Sequence, residues 1–153
     1  LQKSDTAGIY PDWITIDVKG DVIKKENGGY EAIRCYIWNT TLNEQSHFVE
    51  HFKIPLAQAG FYFNQIGYIP EKIDVNNLSY ARKGNIGHMV SILPSARNLS
   101  LTELQNSLNK DVLDFEFNKK NNYYSHVLAL FSLGYLDKKY RYSKQGHLIV
   151  NWE

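Results

Sequence analysis

Asn98-Leu99-Ser100-Leu101-Thr102-Glu103-Leu104, then Ser125-His126-Val127-Leu128-Ala129-Leu130-Phe131-Ser132-Leu133-Gly134-Tyr135-Leu136, then Lys138-Lys139-Tyr140-Arg141-Tyr142-Ser143-Lys144-Gln145-Gly146-His147 are the stretches whose reading decides the fold. In the first, Ser100 and Glu103 stand three apart, the spacing at which each side chain can reach the other's amide and open a helix. Leu99 and Leu104 flank that box as a hydrophobic staple, and Leu104 and Leu108 continue the apolar stripe. The second stretch predicts a helix over about 122–133 that buries Tyr124, Val127, Leu128 and Phe131, with Gly134 as its left-handed terminator. The third predicts a hairpin, with strands 140–142 and 147–151 turning at Gln145-Gly146.

Working back toward the N-terminus, Ile86, Met89, Val90 and Leu93 recur at i, i+3, i+4 and i+7, one face of a helix that Pro94 is expected to stop. Residues 110–120 hold Val112, Leu113, Phe115 and Phe117, and are read as a strand or an insertion. The first half changes period. Ile14, Ile16 and Val18 alternate with Trp13, Thr15, Asp17 and Lys19, as a half-buried strand does. Asn27-Gly28 is a tight-turn signal. It is expected to join a strand near 21–26 to a second over 30–38, burying Ile33 and Ile37 with Ile14 and Ile16. A further aromatic strand is expected over 61–69. The fold class is therefore α+β: an N-terminal antiparallel β region (11–79), then a helical region with a C-terminal β-hairpin (80–153).

Composition narrows the function classes. The 153 residues are 43% hydrophobic, include 11 Tyr, and have one cysteine, Cys35. A single cysteine excludes an internal disulfide and a cysteine zinc cage. It points to a reducing, cytoplasmic setting, with a removed leader peptide as the alternative. No run is long and apolar enough to predict a membrane span. The net charge is +1, unevenly spread: residues 1–79 carry seven Lys/Arg against ten Asp/Glu, and residues 80–153 carry ten against six. A basic segment in a near-neutral chain points to an anionic partner. In Lys138–Lys144 cations alternate with rings, suited to phosphates and exposed bases respectively.

The helix–helix–helix–hairpin order over about 84–153 resembles the winged-helix DNA-binding superfamily. The resemblance implies that the third helix enters a groove and that the hairpin is the wing. It places Lys119, Lys120, Tyr123 and Ser125 at the groove-facing start of that helix, and Lys138, Lys139, Arg141 and Lys144 on phosphates. The reading is a non-enzymatic nucleic-acid-binding protein, with duplex DNA as partner and no cofactor. Two alternatives stand beside it. One is a protein-interaction module of inhibitor or immunity type, with another protein held on a tyrosine-rich sheet face. The other is a zinc hydrolase. His47-Phe48-Val49-Glu50-His51 resembles the inverted zinc motif of pitrilysin-like peptidases, and on a helix both histidines could share a metal beside Glu50. Without a third ligand, no metal is expected there. Asp12, Asp17 and Lys19 resemble the carboxylate–carboxylate–lysine set of restriction-like nucleases, but four intervening residues are too few for acids drawn from successive strands.

Overall fold

The computed structural model describes residues 7–115 and 123–151. They form an α+β fold of five helices and two small antiparallel sheets. Strands β1 (Ile14–Ile16) and β2 (Val22–Lys25) pair first, then come helices α1 (Ile33–Thr41), α2 (Val49–Ile66), α3 (Ile86–Asn98), α4 (Thr102–Leu113) and α5 (Tyr123–Leu136), and strands β3 (Tyr140–Tyr142) and β4 (Leu148–Val150) close the chain.

The C-terminal elements follow the expected order, with three local differences. Pro94 lies inside α3 rather than ending it. A proline removes the N–H that would bond the carbonyl four residues back, here Val90. The Ser132 hydroxyl, from α5, donates to that oxygen at 2.6 Å, so the neighbouring helix supplies the missing donor. The Ser100–Glu103 box does not form: α4 opens at Thr102 after Leu101, with no side-chain cap, and Ser100 takes a left-handed φ of 55°. Asn64 Oδ1 accepts from the Leu104 amide instead. Gly134 does not terminate α5, which runs to Leu136. The left-handed residue is Lys138, at φ 57°. Of residues 110–120, those up to Leu113 belong to α4, and residues 116–122 lie outside the described residues.

The N-terminal region departs further. β1 and β2 lie within the two stretches expected as strands, but they pair with each other through a turn at residues 17–21, with Gly20 at φ 87°, and the hairpin expected to turn at Asn27-Gly28 does not form. Their apolar side chains stay exposed: Ile14 41%, Ile16 57%, Ile23 65%. The strand expected over 30–38 is helix α1. Ile33, Tyr36, Ile37 and Thr40 are buried, the spacing i, i+3, i+4, i+7 of one helical face. The strand expected over 61–69 is the end of α2, closed by Gly67 at φ 76° with its N–H on Phe63 O. β-Branched and aromatic residues suggest strand, but packing against the rest of the chain decides here.

Helix α3 is the centre of the molecule. It packs against all four of the other helices, which is why every residue from Ile86 to Ala96 is buried. One apolar cluster runs from Ile9 through Ile37, Phe63, Val90, Ile92, Leu104 and Leu108 to Leu128. No helix among the described residues is long and apolar enough to cross a membrane.

Candidate active site

The N-terminal ends of α1, α3 and α5 meet around Tyr30. Its ring lies 5.3 Å from His88 of α3 and 4.9 Å from Tyr124 of α5, centroid to centroid. Its hydroxyl shares a hydrogen bond of 2.9 Å with Ser125 Oγ, and the Tyr124 hydroxyl donates to its carbonyl. Three parallel helices thus present the positive ends of their dipoles at one end of the molecule. His88 is itself held in place there: Nδ1 lies 3.0 Å from Asn85 Oδ1, the cap of α3, and Nε2 lies 3.2 Å from the Glu71 carbonyl.

Two carboxylates flank Tyr30, and each is held by an arginine. Glu71 is gripped by Arg82 through both of its oxygens, which holds its carboxyl below the usual range. Glu31 is bound differently. Arg34 donates Nη2 to Glu31 Oε2 and Nε to the Glu31 carbonyl. Glu31 Oε1 has no hydrogen-bond partner among the described residues. Glu31 is half-exposed, with 42% of its side chain open to solvent. Asp12 spends Oδ1 on the amides of Gly29, Glu31 and Ala32.

Helix α1 has two faces. Ile33, Tyr36 and Ile37 turn inward. Glu31, Arg34, Cys35 and Trp38 recur at i, i+3, i+4 and i+7 and form a second stripe, half-buried to exposed. Trp38 stands edge-on to Phe131, centroids 4.9 Å apart. Tyr124 lies beside the stripe. Burial raises its phenol, the Arg34 charge works against the rise and the Glu31 charge adds to it, so it remains a neutral hydrogen-bonding group. Burial also pushes the Cys35 thiol up. A carboxylate with one oxygen uncommitted among the described residues, a guanidinium and several rings on one face can accept a proton and offer polar and ring contacts to a ligand.

The residues singled out from the sequence lie elsewhere. Lys138, Lys139, Arg141 and Lys144 are exposed along β3 and its flanks. Arg97, Lys138, Tyr140 and Arg141 line an open groove of about 760 Å³ at the far ends of α3 and α5. Ser125 is buried, bonded to Tyr30, and faces no groove. Tyr123 is 84% exposed. Lys119 and Lys120 lie outside the described residues. His47 precedes α2 rather than sharing a helix face with His51, the two rings being 6.5 Å apart, and Glu50 pairs with Lys53. Asp17 caps the β1–β2 turn through the amides of Lys19 and Asp21, apart from Asp12. The sequence reading missed Glu31, Arg34 and Trp38 because period 2 split them between two strand faces. Period 3.6 joins them.

No family model matches the chain. Among curated proteins it is similar to an endoglucanase of Escherichia coli strain K12, 30% identical over 160 aligned positions that take in 99% of this chain and 41% of the relative. It is 28% identical to an endoglucanase of Salmonella typhi, with the same coverage, and 26% identical to one of Pseudomonas fluorescens strain SBW25, over 87% of this chain and 37% of the relative. The chain therefore spans about two fifths of the length of these relatives. Among solved structures, the endo-1,4-D-glucanase from Vibrio fischeri ES114 shares the fold, with a TM-score of 0.67 and 24% identity over 97% of this chain and 45% of that one. These likenesses overturn the DNA-binding reading and the winged-helix label. They cover both halves of the chain, where the winged-helix resemblance took in only the second.

Proposed function

We propose that this chain carries the glucan-binding face and one catalytic carboxylate, Glu31, of a glycoside hydrolase acting on a 1,4-linked glucan. The observation that carries the reading is the stripe that opens at Glu31 and continues along α1: a half-exposed carboxylate with one oxygen unpaired among the described residues, beside Arg34, Tyr124 and Trp38. The names of the relatives supply the substrate class.

Glycosidic bond cleavage uses two carboxyl groups, one donating a proton to the leaving oxygen and one acting from the opposite face of the sugar. An ion-paired carboxylate is a proton acceptor, so Glu31 fits the second role. Its Oε1 takes a proton from water as that water's oxygen bonds to the anomeric carbon, while the leaving oxygen takes its proton from the partner acid. Arg34 fixes Oε2 and turns Oε1 outward. Trp38 and Tyr124 offer ring faces and edges for sugar contact.

The experiment pairs hydrolysis with binding. Reducing ends released from cellohexaose, assayed in the protein that also supplies the partner acid, should fall by roughly 10²–10⁴-fold in Glu31→Gln, the usual contribution of a general base. Calorimetric binding of cellohexaose should persist, because the amide fills the same space. A wild-type chain that neither binds nor cleaves cellohexaose would overturn the proposal.

A further inference from the structure

We propose that Asp12 is a positioning residue: its carboxylate caps α1 from outside the helix and thereby places Glu31. The inference rests on the reading of Glu31 above.

A helix leaves its first amides without intrahelical partners, and a side chain at the cap position normally serves them. Here the cap position is Ala32, which has helical backbone angles and no side chain able to accept. Asp12, twenty residues upstream, takes over. Its Oδ1 accepts from Gly29 N at 3.0 Å, Glu31 N at 3.0 Å and Ala32 N at 2.7 Å. Of the amides from Gly28 to Ala32, these three converge on one oxygen, and Gly28 N goes to Ile73 O. A negative charge at this end of the helix also meets the favourable end of its dipole.

Asp12 is held in turn. Its own N–H donates to Asn27 O at 2.9 Å, and Glu26 N–H donates to Trp13 O at 2.9 Å, so it sits at the root of the β1–β2 hairpin. The approach is close: an added Cβ at Gly29 would stand 2.8 Å from Asp12 Oδ2, so a side chain there would displace that carboxylate. The segment carrying Glu31 is thus stretched between the Ile73 backbone on one side and the Asp12 carboxylate on the other. Arg34 Nε then grips the Glu31 carbonyl. Release of the Asp12 contact frees the Glu31 backbone, and the carboxylate moves with it.

Asp12→Ala and Asp12→Asn test this against wild type by NMR hydrogen exchange and by cellohexaose kinetics. In Asp12→Ala, exchange at Gly29, Glu31 and Ala32 should quicken at least about tenfold, the Arg34 Nε–H should lose protection, and amides of central α3 should be unchanged. The kcat should fall by roughly 10²-fold, the scale expected when a reacting group is misplaced by about 1 Å, with KM within about twofold. Asp12→Asn keeps an oxygen at Oδ1 and should restore most of the protection and of kcat. Unchanged exchange at the three amides and at Arg34 Nε in Asp12→Ala would overturn the proposal. So would quickened exchange with full kcat, or a loss of kcat as deep in Asp12→Asn as in Asp12→Ala. If wild type neither binds nor cleaves cellohexaose, the function assigned to Glu31 fails, while the Arg34 Nε–H still reports whether Asp12 places Glu31.

Discussion

At the scale of single residues, His88 shows how burial and hydrogen bonding oppose each other. Both of its ring nitrogens face oxygen acceptors, Asn85 Oδ1 and Glu71 O, and the Asn85 oxygen is identified by the Gly87 amide that donates to it at 2.9 Å. A neutral ring has one N–H and serves only one of them. Even so, burial outweighs the second bond and the nearby carboxylates of Glu71 and Asp12, and the His88 pKa is lowered from 6.5. A histidine depressed in the folded state binds its proton more readily when unfolded, so its contribution to stability is present above pH 6.5 and is lost as the pH falls below it. Urea denaturation midpoints of wild type should therefore drop as the pH falls below 6.5. In His88→Gln that part of the drop should be absent. An identical pH profile in the two proteins would refute this reading.

At the scale of elements, one hydroxyl of α5 completes the hydrogen bonding of α3. Pro94 leaves the Val90 carbonyl without its helical donor, in a helix buried on every side. Ser132 restores the bond from the neighbouring helix and is itself fully buried. A lost partner leaves a buried acceptor unsatisfied, at a cost of about 1–3 kcal/mol. Ser132→Ala should destabilise the chain by about that much in urea denaturation, although it removes a single oxygen. Replacing Pro94 by Ala in the same background should recover part of the loss, because the amide of residue 94 can then serve Val90. The hairpin β3–β4 is tied down in a similar way, through the Tyr140 hydroxyl to Phe131 O and through Asn43 Nδ2 to the Tyr142 carbonyl.

For the molecule as a whole, the helical layers carry the stability, and the N-terminal strands do not. Ile37 is fully buried between α1 and α3, whereas Ile16 on β1 is 57% exposed. Ile37→Ala should cost about 2–5 kcal/mol, through lost burial and the cavity left behind. Ile16→Thr should be close to neutral, as surface changes away from special features are. Chemical denaturation of the two variants compares them directly. Equal losses would mean that the hairpin belongs to the core after all.

Local rules were enough wherever the partners lie close in sequence. The stripe Ile86–Met89–Val90–Leu93 gave α3, the apolar spacing around Leu128 gave α5, Leu104 and Leu108 gave the buried side of α4, and Gln145-Gly146 gave the final turn, because helical period and turn chemistry are properties of neighbouring residues. The same rules failed between Tyr30 and Trp38. That stretch satisfies period 2 and period 3.6 alike, and its β-branched residues favoured the wrong one. What decided it was the Asp12 carboxylate arriving from twenty residues upstream to cap α1, with α3 then covering Ile33 and Ile37. The basic run Lys138–Lys144 was legible as charge, but charge alone names no ligand. Glu31 comes from the turn before α1, Arg34 and Trp38 from α1 and Tyr124 from α5, and only the packing of α1 and α5 beside α3 brings them to one face.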